Sequence, residues 1–155
     1  MRSLVFLLCA SIFIGSSSAA ESCDPIHTFA DDKKPLREIF ISPTGAQDGD
    51  GSRAKPFPNL GRALQGVRAG DAIRLLPGEY RGGMSVAEVP GTADAPVWIG
   101  GVPGEARPII RGGGGGMHLS RVRYLVFENL EEAGATGNRV NCDDGGRDGN
   151  PDATP

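Results

Sequence analysis

The brevity of its apolar runs limits what this chain can fold into more than any other feature. Ile39 to Ile41, Ala72 to Leu76, Met84 to Val86, Val97 to Ile99, Arg107 to Ile110, Met117 to Ser120, Tyr124 to Leu130 and Arg139 to Cys142 are each three to seven residues long. Glycines, prolines and polar turns separate them. Runs this short cannot make helices that persist in water, but they suit strands rich in β-branched residues. The 24 glycines and 12 prolines stand between the runs, where turns belong, so they argue for order and against a low-complexity chain. An all-β fold is expected.

One segment breaks this pattern. Leu60, Ala63, Leu64 and Val67 recur at i, i+3, i+4 and i+7, which puts them on one face of a helix of about ten residues. Asn59 can cap its first turn, and Gly70 stands where a left-handed residue would close it. Such a helix needs tertiary packing, and the open end of a stack of strands would supply an apolar partner.

The runs also repeat. Ile73 to Val97 is 24 residues and Met117 to Val140 is 23, within the range of solenoid repeats. Short strands that stack only on their neighbours are what each coil of a solenoid contributes. A β-sandwich of about seven strands is the competing arrangement, but it accounts for neither the leading helix nor the spacing.

From Ile39 to Arg81 the order ISPTG, DGDGS, KPF, helix, AGD and IRLLPGEYR resembles the opening of secreted right-handed parallel β-helix proteins, the pectate-lyase-like superfamily. The resemblance extends to about Asp144. It implies a right-handed parallel β-helix with a short N-terminal capping helix, and it implies a protein that acts on polysaccharides. Calcium-dependent β-elimination of uronate polymers leads, with an acidic polysaccharide as partner. A non-catalytic carbohydrate-binding or structural β-helix, or a glycoside hydrolase on the same scaffold, is the alternative, since one fold hosts many chemistries.

The domain organisation follows from these readings. Residues 1–20 have the charged start, apolar run and small-residue end of a secretory signal, and the apolar run is well short of the roughly 20 residues that span a bilayer. Residues 21–38 form a polar lead, and residues 39–155 form the β-helix part. The expected location is extracellular or periplasmic. Strand RVNC is followed only by a polar stretch up to Pro155, so the solenoid is expected to be unfinished, with its uncapped end open to self-association. For the same reason the chain alone is expected to lack turnover.

Charge and cysteines narrow the partners. Loss of residues 1–20 removes Arg2 and leaves 15 basic against 19 acidic residues, a poor balance for binding nucleic acid or anionic membranes. Two cysteines then remain, Cys23 and Cys142. An oxidising compartment permits a disulfide between them, whereas the strand parity that Cys142 shares with Val140 favours a buried free thiol.

The chemistry that the resemblance implies needs a cation to neutralise the substrate carboxylate, and a base to take the adjacent carbon-bound proton. Asp143 and Asp144, directly after RVNC, are the candidate calcium ligands. Adjacent strand residues point to opposite faces, so both can serve one ion only if the chain turns between them. Arg147 is the candidate base or carboxylate anchor, with Arg139 nearby for substrate. Trp98 can stack on a sugar if it faces outward while Val97 and Ile99 face in. Asp48-Gly-Asp50-Gly-Ser52 has Asn59 where a calcium hand needs its last glutamate, so it reads as a turn. His27 and His118 lack the spacing of a zinc site, and His118 is expected to face outward from a strand. Gly112 to Gly116 lacks the strand-to-helix context of a nucleotide cradle and reads as a turn.

Overall fold

The computed structural model describes residues 28–143. Ten strands are arranged around one short helix: β1 Arg37–Ile41, α1 Leu60–Leu64, β2 Asp71–Leu75, β3 Glu79–Arg81, β4 Met84–Ala87, β5 Val97–Gly101, β6 Ile109–Arg111, β7 Met117–Ser120, β8 Leu125–Glu128, β9 Glu131–Ala133 and β10 Val140–Asp143. They form three sheets: A in the order β1-β2-β5-β8, B in the order β3-β6-β9, and C in the order β10-β7-β4. From β2 onward the chain visits A, B and C in turn, three times over, in a β-helix-like arrangement.

Every pairing between these strands is parallel. That excludes the antiparallel sandwich, whose neighbouring strands come from hairpins and Greek keys. Parallel pairing also fixes the side-chain ladders. Ile39, Ile73, Ile99 and Phe127 stack along sheet A, Tyr80 and Ile110 along sheet B, and Val86 and Leu119 along sheet C. These side chains build a single core. Ile73 lies opposite Ile99, two residues further along than the periodicity suggests. The second spacing is the true register, since Val140 lies opposite Met117.

The helix is shorter than its sequence pattern. Asn59 caps it, its side-chain oxygen accepting from the Arg62 amide at 2.9 Å, but regular structure stops at Leu64. Gly66 stands just past the cap residue Gln65, and glycine costs about 1 kcal/mol in a helix interior, so a turn replaces the second half. Leu60 and Ala63 are buried in the core, and Leu64 and Val67 pack against it. Further on, Gly70 does take a left-handed conformation, with φ of 84°. Among the described residues no helix is long and apolar enough to cross a membrane. Residues 1–20, read as a signal sequence, lie outside the described residues.

Sheet C ends at β10, and there the core ladders run out. Val140 continues the Met84–Met117 ladder and Cys142 the Val86–Leu119 ladder, yet Val140 is 49% exposed and Cys142 is exposed too. The expectation of a buried thiol therefore fails: Cys142 points to the core side, but no strand beyond β10 covers it among the described residues. Cys23, the other half of the expected disulfide, lies outside the described residues.

Candidate functional site

The outer face of sheet C carries a polar surface built by register. Parallel register places Ser85, His118 and Asn141 in one row across three coils, and Ala87, Ser120 and Asp143 in the next. Alternation along each strand sends these residues outward while Met84, Met117, Val86 and Leu119 go in. His118 is the centre of the face. Its Nε2 lies 3.0 Å from Asp143 Oδ2 and its Nδ1 lies 3.1 Å from Asn141 Nδ2. With the amide nitrogen donating to Nδ1, Nε2 carries the proton and donates it to the carboxylate.

Beside this face is an open groove of about 380 Å³, lined by Gly83, Gly114, Gly115, Met117, His118, Asn138 and Asn141. Its glycines come from the turns that join sheet B to sheet C, and the stacking of those turns leaves room for nothing larger at two other glycines beside it. A Cβ on Gly82 would sit 2.0 Å from the Gly112 carbonyl oxygen, and one on Gly137 would sit 2.4 Å from that of Gly114. Arg121, which follows β7, binds Glu88, which follows β4, through both Nε and Nη2. Both residues adopt positive φ, so the chain turns at the position after each of these strands.

Of the residues singled out in the sequence, Asp143 stands in this face and Arg139 does not. Arg139 lines a different cavity, at the end of the coil, with Glu132, Phe127, Leu130 and Val140. Glu132 takes the place in the Tyr80–Ile110 ladder that an apolar residue would fill, and burial raises its pKa while Arg139 opposes the shift. Trp98 does alternate with the core residues Val97 and Ile99, but it is only 4% exposed, so it offers no open ring for a sugar. Asp144 and Arg147 lie outside the described residues. His118, the residue that ties the face together, was legible as an outward strand residue, while its partners became visible only with the register.

A calcium ion takes six to eight oxygen ligands. Among the described residues no three His, Cys, Asp or Glu side chains converge as a metal site would require, and one oxygen of Asp143 is already held by His118. These residues do not by themselves fit calcium. Asp48 and Asp50 belong to a turn, in which Asp50 Oδ1 accepts from the Ser52 amide at 2.8 Å.

No protein-family model matches the sequence, and no curated protein sequence matches it. Solved structures do. A rhamnogalacturonan lyase is 20% identical with a TM-score of 0.52, over 62% of this chain and 28% of its own. Pectate lyase Pel9A is 19% identical with a TM-score of 0.53, over 64% of this chain and 28% of its own. The GH136 lacto-N-biosidase from Eubacterium ramulus is 20% identical with a TM-score of 0.54, over 74% of this chain and 21% of its own. The fold is therefore pectate-lyase-like. At these identities the likeness extends to fold alone, and the chain spans about a quarter of the length of those proteins.

Proposed function

We propose that this chain is the N-terminal part of a secreted, polysaccharide-active right-handed parallel β-helix protein, with α1 capping its first coil. The observation that carries the reading is the outer face of sheet C, where His118, Asn141 and Asp143 converge beside a groove open to an extended ligand. A parallel stack of coils suits a polymer, because it repeats similar positions along one direction. Neighbours of the same fold include two polysaccharide lyases, which favours uronate β-elimination as the chemistry.

In this reading Asp143 and Asp144 contribute to a calcium site, and Arg147 acts as base or carboxylate anchor. The calcium proposal rests on Asp144 and further ligands joining Asp143, so no step is assigned to the ion. Residues 1–20 direct secretion, and the open apolar end at Val140 and Cys142 is a surface for self-association. The alternative is a carbohydrate-binding protein without turnover, favoured by the hold His118 has on Asp143 and by the lack of a metal-binding cluster among the described residues. A glycoside hydrolase would need paired carboxylates facing one groove, and among the described residues the sheet C groove has Asp143 alone beside it, through His118.

The test is incubation of the purified chain with pectate and alginate, with and without calcium, following the absorbance of unsaturated uronide products. Sugar binding with no product is expected from this chain alone, and calcium-dependent unsaturated product from the protein extended by further coils. Reducing ends without unsaturation would overturn the lyase reading, and absence of sugar binding would overturn the carbohydrate reading altogether.

A further inference from the structure

We propose that the cavity between the cap and the first coil is a subsite for the carboxylate of a uronate unit, and that Arg81 is the residue that holds it. This rests on the carbohydrate reading above and adds to it an anchor at the cap end of the same face.

The cavity has a volume of about 530 Å³, with Pro43 and Pro58 in its lining on the cap side and Glu79, Arg81 and Ser85 on the coil side. Ser85 heads the row that continues through His118 to Asn141, so the cavity prolongs the sheet C groove by one coil. Gly83, which lines the groove, stands in sequence between Arg81 and Met84, which line the cavity. A Cβ at Gly83 would meet nothing within 4 Å, so the corner between the two spaces is left open. A polymer lying along the row passes from one to the other.

Charge identifies the ligand. Tyr80 and Ile110 are buried, so Arg81 and Arg111, next to them in β3 and β6, face outward. Register puts these two arginines directly opposite each other, an arrangement that like charges disfavour. Arg111 has a counter-charge, its Nη2 donating to Glu79 Oε1 at 3.0 Å. Arg81 has none among the described residues, of which Glu79, already bound to Arg111, is the one carboxylate in the cavity lining. The cavity therefore carries one arginine in excess.

A guanidinium stays ionised at every working pH and presents a fork of donors that matches a carboxylate. Ser85 brings a hydroxyl for a sugar oxygen, and the two prolines bring an apolar wall for C–H groups. The chain as a whole has a net charge of −3, which repels an acidic polymer, so a preference for the acid requires a local cation.

The experiment titrates free-acid and methyl-esterified oligogalacturonides of equal length into the whole chain by calorimetry, with divalent metal chelated so that no ion bridges the carboxylates. The acid is expected to bind about five-fold more tightly than the ester. Arg81→Gln should lose that factor for the acid and leave the ester unchanged, and Arg81→Lys should recover part of it, because an ammonium keeps the charge without the fork. Arg107→Gln, which removes an exposed arginine between β5 and β6, should change neither affinity. If wild type binds both probes equally, if Arg81→Gln keeps the preference, or if Arg107→Gln loses as much as Arg81→Gln, the subsite falls while the carbohydrate reading stands. If neither probe binds, both fall.

Discussion

Arg74 in β2 donates to Glu128 in β8 although β5 lies between the two strands. The residue of β5 that stands between them is Gly100, so no side chain interrupts the reach. On its other side Arg74 Nε donates to Glu38 of β1 at 2.9 Å, and one guanidinium thus ties together the outer strands of a four-stranded sheet. Arg74 itself is 3% exposed, whereas both carboxylates are substantially exposed.

That asymmetry makes the cost of substitution non-additive. Glu38→Gln or Glu128→Gln alone leaves the buried cation one carboxylate, and each should cost about 1 kcal/mol, since the partner is largely hydrated. The double variant leaves a buried charge without a counter-ion and should cost about 3–4 kcal/mol, more than the singles together. Denaturant unfolding of the four proteins checks this, and additive losses would mean that Arg74 is not held by the pair.

The glycines should divide into two classes on alanine substitution. Gly82→Ala puts a Cβ 2.0 Å from the Gly112 carbonyl oxygen, and Gly100→Ala puts one 2.0 Å from that of Glu128. Both obstacles are backbone in a neighbouring coil, so each variant should lose about 3 kcal/mol or fail to fold. Gly114→Ala meets nothing within 4 Å and should melt within a degree or two of wild type, which thermal unfolding will show.

Tyr80 is buried, and its hydroxyl lies 2.8 Å from the Leu76 carbonyl and 3.1 Å from that of Ile41. Burial pushes its pKa well up, because the phenolate would lose its hydration. The folded state therefore keeps a proton that the unfolded chain gives up near pH 10, and stability should fall as pH rises above that value. Tyr80→Phe should cost about 1 kcal/mol at neutral pH through the lost hydrogen bond. It should also flatten the alkaline decline, and urea midpoints measured from neutral pH to pH 11 test both effects. An undiminished decline would assign it to other groups.

Much of this architecture could be read from residues, and the missing parts have physical causes. Ile73, Val97 and Met117 announced strands because β-branched and apolar residues recur in short runs between glycines. β3 and β9 escaped notice: Glu79-Tyr80-Arg81 shows one buried residue between two exposed ones, and Glu131-Glu132-Ala133 places a carboxylate where the core ladder calls for an apolar side chain. The site was legible only in part. Asp143 was singled out for its charge, but its partner His118 lies 25 residues earlier, and only the parallel register of β7 and β10 brings them together. Trp98 has the alternation of an outward residue, and alternation does not reveal that the outer side of sheet A is itself covered there.

The same displaced carboxylate gives a further prediction. Glu132 follows Tyr80 and Ile110 in an inward ladder, and its carboxyl reaches the space left by Gly116, where a Cβ would sit 2.6 Å from Oε1. Burial raises its pKa, the dominant effect, and Arg139 pulls the other way without cancelling it. A carboxyl that holds its proton more tightly when folded contributes stability below the unfolded pKa and loses it as pH rises through the folded one. At neutral pH the ionised carboxylate is therefore a burden at this position, and Glu132→Gln should raise the unfolding midpoint there. The advantage should shrink as pH falls through the carboxylate range, where wild type becomes neutral as well. Denaturant midpoints of the two proteins from pH 7 to pH 4 provide the test. A variant less stable than wild type at pH 7 would show that the attraction of Arg139 outweighs burial, and that the two charges close the end of the core as a pair.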